Sequence, residues 1–216
     1  MRTASRLWRI DRYSSIPAAL GYAAASGIPY GEAIIKNRYS DRTFIKPDQR
    51  LRELEVDLKF NMVKPKINGM RLLVVDDSIV RGNTMKRLVA ALRNQGAKEI
   101  HLRSSSPPLR HPCYFGIDIP QEEELVAAGR TVDEIAAYIG VDSLGYLSTA
   151  GLGRAINSVE IENVLEDDTA KTLLHNEFCY GCMEKSGWPF DPSTGETTRA
   201  NQFVSLHKRD TLMRTP

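Results

Sequence analysis

The chain has 216 residues, 42% of them hydrophobic, which suits a folded domain with an extension and excludes a disordered or fibrous chain. Lys and Arg number 29 against 27 Asp and Glu, a net charge of +2, so no global field favours nucleic acid or an anionic membrane, and any anion site must be local. No apolar run approaches the roughly 20 residues that span a bilayer, and residues 1–10 (MRTASRLWRI) lack the apolar centre of a secretory signal, so a cytoplasmic location is expected.

Residues 17–27 (PAALGYAAASG) place small helix formers between Pro17 and Gly27 and predict a closely packed helix. Residues 31–35 predict a short strand, which empties into the polar stretch 36–45 with its cations Lys36, Arg38 and Arg42. Over residues 48–60 the spacing of Leu51, Leu54, Val56 and Leu58 fits a short amphipathic helix and a strand equally.

Residues 70–75 (MRLLVV) are continuous and β-rich, as in a buried parallel strand. Residues 84–95 follow as a helix with Met85, Leu88, Val89 and Leu92 on one face and Gly96 at its stop. Residues 99–103 (EIHLR) give the next strand and complete a β-loop-α-β unit. The pattern is helical again over 121–128, 132–139 and 150–156, with 142–147 between the last two. From Asn157 the chain is polar and irregular, an extension held by something other than a large core.

The stretch 72–84, LLVVDDSIVRGNT, sits where open α/β sheets bind ligands, in the loop from a strand's carboxyl end to a helix. Backbone N–H groups of residues 78–84, the hydroxyls of Ser78 and Thr84 and the positive helix end predict a phosphate site, with Gly82 allowing close approach. Asp76 and Asp77 can hold vicinal sugar hydroxyls or Mg²⁺. For an arbitrary acidic pair a solvated strand end is the plainer reading. A receiver domain is the sharper rival, but it carries its acids near the domain start and lacks the Gly-Asn-Thr turn.

Cys179 and Cys182 are spaced Cys-Tyr-Gly-Cys, and Cys113 is the third cysteine, a set that suggests metal or redox chemistry. Free or zinc-binding thiols, with His111 or His175 as a nitrogen ligand, are the alternative.

Residues 74–84 (VVDDSIVRGNT) resemble the phosphoribosylpyrophosphate (PRPP) signature of type I phosphoribosyltransferases, in the form found in glutamine PRPP amidotransferases. Residues 21–30, 36–45 and 106–118 (SPPLRHPCYFGID) resemble that family too, so the likeness runs roughly from 14 to 182. It implies an α/β fold, a type I phosphoribosyltransferase-like parallel sheet flanked by helices. An atypical segment 1–15 would precede a domain at 16–156 and an irregular extension at 157–216 carrying the CxxC pair.

The resemblance also implies roles. Asp76 and Asp77 would hold the ribose hydroxyls and, with Ser14, position Mg²⁺. Ser78, Val80, Arg81, Gly82, Asn83 and Thr84 would wrap the 5-phosphate, with Asn83 standing where the family usually has Thr. Lys36, Arg38 and Arg42 would be the catalytic cations of a loop that closes over pyrophosphate as negative charge develops. Cys113, Cys179 and Cys182 would be three of the four ligands of a [4Fe–4S] cluster, as in the iron–sulfur branch. The implied reaction is displacement of pyrophosphate from PRPP by ammonia, giving phosphoribosylamine for purine synthesis, with water kept out. Implied partners are PRPP, ammonia, purine nucleotides as inhibitors, and a separate glutaminase chain or a second copy of this one.

Two departures qualify the likeness. The family's glutaminase part, with its N-terminal cysteine, has no counterpart before Cys113, so this chain is expected not to use glutamine alone. The pyrophosphate loop falls by register on residues 12–15, where only Ser14 matches, Tyr13 replaces an acid, and residues 1–13 look foreign. A non-catalytic PRPP- or nucleotide-binding module and an inactive truncated fragment are therefore the alternatives.

Overall fold

A computed structural model describes residues 5–9, 15–36, 60–114, 121–157, 178–185, 188 and 194. The chain forms two compact units, one of Met1–Ser106 with Arg130–Tyr146, the other of Pro107–Gly129 with Leu147–Pro216. No helix among the described residues is long and apolar enough to cross a membrane.

In the first unit the elements run β1 (Ser5–Arg9), α1 (Ser15–Ser26), β2 (Tyr30–Gly31), β3 (Ile34–Lys36), β4 (Phe60–Met62), α2 (Lys64–Ile67), β5 (Arg71–Asp76), α3 (Asn83–Asn94), β6 (Glu99–Ser104), α4 (Val132–Ile139) and β7 (Ser143–Tyr146). Five strands make one sheet in the order β2-β1-β5-β6-β7, every neighbour parallel. Leu7 pairs with Leu73, Leu73 with His101, and His101 with Ser143. β3 and β4 pair separately and antiparallel. The fold is the expected α/β one, a parallel sheet flanked by helices.

The β5 run Leu72-Leu73-Val74-Val75 is buried on both sides, which is why it reads as a continuous apolar stretch. Alternation sends Leu73 and Val75 to one face, where they cluster with Ala19 of α1, and Ala18, Tyr22, Ala23, Ile28 and Tyr30 pack around them. Alanines on α1 allow that close approach. Gly27, at φ 69°, ends the helix, its N–H donating to Ala23 O at 3.0 Å. The crossover from β5 to the parallel β6 runs through α3, whose Met85, Leu88, Val89 and Leu92 are buried. Full burial of one such side chain stabilises by about 1.5–3 kcal/mol, so Leu88→Ala would strip α3 of a central anchor.

The predicted helix 132–139 forms with those bounds. Thr131 Oγ1 accepts from Glu134 N, Glu134 Oε2 accepts from Thr131 N, and Gly140 at φ 87° closes the end. Asp142 then ties three elements together. It accepts from Ile100 N at 2.6 Å and Arg93 Nη2 at 2.5 Å, while Arg93 Nη1 donates to Lys98 O.

Other expectations need correction. The single strand at 31–35 is two, β2 and β3, in different sheets. Residues 5–9, where no element was expected, form β1 between β2 and β5. Residues 142–147 supply β7. The helix expected over 121–128 is a short 3₁₀ turn, Glu122–Glu124, followed by turns. Leu125, Val126 and Ala127 are buried in succession, which one helical face cannot do. Of the undecided stretch 48–60, only Phe60, the first residue of β4, falls within the described residues.

In the second unit α5 (Thr149–Asn157) begins at Ser148, whose Oγ accepts from Gly151 N at 3.0 Å. Arg110 N and His111 N both donate to Cys182 O, at 2.8 and 3.0 Å, which pins the 107–114 segment to the CxxC turn. A Cβ on Gly181 would collide with the Trp188 ring, so the turn requires glycine there.

Candidate functional site

The strand order creates a switch point. From β1 the chain turns through α1 to β2 at one edge, whereas from β5 it turns through α3 to β6 in the other direction. Open α/β sheets bind ligands in the crevice outside the carboxyl ends of the strands at such a switch point, here β1 and β5. Asp76 is the last residue of β5 and Ser15 the first of α1, so both stand at that crevice.

They touch. Ser15 is fully buried and its Oγ lies 3.4 Å from Asp76 Oδ1. Asp76 Oδ1 also accepts from Asp77 N at 3.0 Å, and Asp77 Oδ1 accepts from Ser78 N at 2.8 Å. Each acid thus holds the next residue's backbone, which fixes the start of the loop. From the far side Ser105 N donates to Asp76 O at 2.9 Å and Ser105 Oγ to Asp77 O at 3.4 Å, anchoring the loop to the end of β6.

Ile79 is buried and plugs the loop into the core. Gly82 then takes φ 75° and ψ −13°, the left-handed conformation that glycine adopts without strain, and α3 starts at Asn83. No side chain caps that end. The first N–H groups of α3 and its positive dipole therefore face the loop with no protein acceptor at the cap position, an arrangement suited to an anion. Arg81, Asn83 and Thr84 are exposed there, and Ser78 and Val80 half-buried. Acids at one end of the loop and anion donors at the other can grip a ligand with hydroxyls next to a phosphate.

The structure thus brings Asp76 to Thr84 into one loop. Lys36 ends β3. Arg38, Arg42 and Ser14 lie outside the described residues, as does His175. Sequence reasoning singled out Ser14 and passed over Ser15; the only available signal was that both sit just before the small-residue helix.

Among the described residues no group of three or more His, Cys, Asp or Glu could hold a metal ion. The donor chemistry of Asp76 and Asp77 still fits Mg²⁺, which takes one or two carboxylates and completes its shell with substrate oxygens and water. In the second unit none of the three cysteines is in a disulfide; Cys179 is exposed and Cys113 and Cys182 are half-buried. Burial pushes the Cys182 thiol above its ordinary pKa, and nearby Cys113 and Cys179 add to the shift. The three thiols are electrostatic neighbours, but a [4Fe–4S] cluster takes four ligands and the chain has three cysteines, so its own cysteines do not complete the set. His111 Nδ1 stands 3.7 Å from Glu122 Oε2, and the ring meets Trp188 edge-on.

Residues 13–105 match the phosphoribosyl transferase domain family. Over 143 residues the chain is 55% identical to the amidophosphoribosyltransferase of Archaeoglobus fulgidus and 52% to that of Bacillus subtilis, 66% of this chain against 31% and 30% of theirs. The human amidophosphoribosyltransferase is 43% identical over 175 residues, 81% of this chain and 34% of that one. The solved glutamine PRPP amidotransferase of B. subtilis, complexed with ADP and GMP, superposes with a TM-score of 0.68 at 42% identity, over 86% of this chain and 38% of that one. The chain spans about a third of the length of the curated relatives it matches.

Proposed function

We propose that this chain binds PRPP and transfers its phosphoribosyl group to ammonia, releasing pyrophosphate, a reading supported by the match of residues 13–105 to the phosphoribosyl transferase domain family and by the likeness to amidophosphoribosyltransferases. One observation carries the reading: the acid pair Asp76-Asp77 and the uncapped start of α3 are the two ends of a single loop that opens at the switch point.

In this reading Asp76 and Asp77 receive the ribose 2- and 3-hydroxyls. Ser78, Val80, Arg81, Gly82, Asn83 and Thr84 enclose the 5-phosphate. The ammonia lone pair forms the new bond to the anomeric carbon, the bond from that carbon to the pyrophosphate oxygen breaks, and its electron pair leaves with pyrophosphate. The surplus proton on nitrogen passes to solvent. Mg²⁺, held by Asp76, Asp77 and Ser14 with substrate oxygens, would neutralise charge on the departing group. Lys36, Arg38 and Arg42 would add positive charge there and, by closing, exclude water.

Buried Ser15 has a separate task, holding Asp76 at the angle the sugar needs. A complete enzyme of this kind supplies an early step of purine synthesis. Its further partners would be purine nucleotides as inhibitors and either a separate glutaminase chain or a second copy of this one.

Pyrophosphate release from Mg–PRPP and ammonium tests the proposal: release above that of an Asp76→Asn variant supports it, and release equal to that variant's sinks the catalytic claim. Tyr13, standing where the pyrophosphate loop would carry an acid, favours a second reading, a PRPP-binding module without turnover. Saturable binding of PRPP with no pyrophosphate release would select it.

A further inference from the structure

We propose that Tyr138 is a positioning residue for the 5-phosphate, acting through Asn83, an inference that rests on the phosphate site proposed above. The Tyr138 hydroxyl donates to Asn83 Oδ1 at 2.8 Å, from α4 to the first residue of α3. Asn83 follows Gly82 directly and stands on the turn whose N–H groups meet the anion.

A carboxamide can present either end to that anion. Its N–H₂ attracts phosphate and its carbonyl oxygen repels it, so the direction of the flip decides whether Asn83 helps or hinders. A phenol can donate or accept, and a hydrogen bond alone would hold either flip. The cations around Tyr138 break the tie. Lys86 Nζ lies 4.5 Å from the ring centroid and the Arg130 guanidinium 5.7 Å. Two positive charges against the ring draw density from the phenol, strengthening its O–H as a donor and weakening its oxygen as an acceptor. The hydroxyl donates, Asn83 Oδ1 is engaged, and the two Nδ2 hydrogens are left for the phosphate. Lys86 lies three residues beyond Asn83, on the same side of α3, and adds positive potential at the mouth.

The arrangement also accounts for the residue at 83. Threonine offers a hydroxyl that rotates freely between donating and accepting, whereas asparagine needs a partner to fix its flip, and Tyr138 is that partner.

Tyr138 is partly exposed and its ring remains in Tyr138→Phe, so the variant loses only the hydroxyl. On the full chain, calorimetric titration with Mg–PRPP should show affinity falling about fivefold, as expected for one hydrogen bond, with KM raised and kcat held where turnover is measured. In an Asn83→Thr background the same change should have no further effect, because no carboxamide remains to orient. Unchanged affinity in Tyr138→Phe while the wild type binds would overturn this inference alone. A loss that persists undiminished in the Asn83→Thr background would also overturn it, since it would assign Tyr138 a role independent of Asn83. A wild-type chain that does not bind Mg–PRPP would remove the phosphate site itself, and this inference with it.

Discussion

Ser15 Oγ stands 3.4 Å from Asp76 Oδ1, joining the first residue of α1 to the last residue of β5 across 61 positions of chain. The contact exists because β1 and β5 are adjacent and parallel and the start of α1 stands at the carboxyl end of β5. It gives the acid a fixed donor at the point where the chain reverses its direction of winding. Replacing Ser15 by Ala removes the hydroxyl at little cost in volume. Mg–PRPP affinity should fall about threefold and folding stability by no more than about 1 kcal/mol, read by calorimetry and urea unfolding.

Gly82 holds φ 75°, where a Cβ is strained. Gly82→Ala should lower stability by roughly 1–2 kcal/mol and weaken PRPP binding more than Ser15→Ala does, because the loop cannot relax without moving the start of α3. Paired urea and calorimetric titrations check both parts.

Asp142 carries a pH dependence. Burial would raise its pKa, but the Ile100 N–H and the Arg93 guanidinium outweigh burial and hold the carboxyl below its ordinary value. A depressed folded pKa means that Asp142 stabilises the fold above the ordinary aspartate pKa and that this contribution is lost as pH falls through the lower folded value. The stability gap between wild type and Asp142→Asn should therefore be widest near neutrality and close below about pH 3.9. Urea unfolding at several pH values measures the gap.

Cys179 is exposed, whereas Cys182 is half-buried with its thiol pushed up by burial and by its two cysteine neighbours. Less thiolate at neutral pH means slower alkylation. Iodoacetamide should label Cys179 several-fold faster than Cys182, a difference that a mass-spectrometric time course resolves.

The legible parts of this sequence were those whose cause is local. Leu72 to Val75 announce a strand buried on both faces, Met85, Leu88, Val89 and Leu92 announce the face of α3, and the helical pattern over 132–139 announces α4 with the bounds it takes. The loop between Asp76 and Thr84 was legible too, since its acids, glycine and helix start are contiguous. What escaped depends on topology. Ser15 reaches Asp76, and Tyr138 reaches Asn83, only because elements far apart in the chain are neighbours in the fold. Leu125-Val126-Ala127 imitates helical composition, and only successive burial shows that it is not a helix. Residues 5–9 gain their strand from their neighbours β2 and β5, whose backbone groups they pair with.

In the proposed function the loop beginning at Asp76-Asp77 binds PRPP. Titration calorimetry of Mg–PRPP into the wild-type chain and into the double variant Asp76→Asn, Asp77→Asn tests it most directly, with circular dichroism confirming that both are folded. Saturable binding by the wild type, weakened at least about tenfold in the double variant as expected when charged hydrogen bonds to the ribose are lost, is the predicted result. No binding by the wild type, or equal binding by the folded double variant, would contradict it.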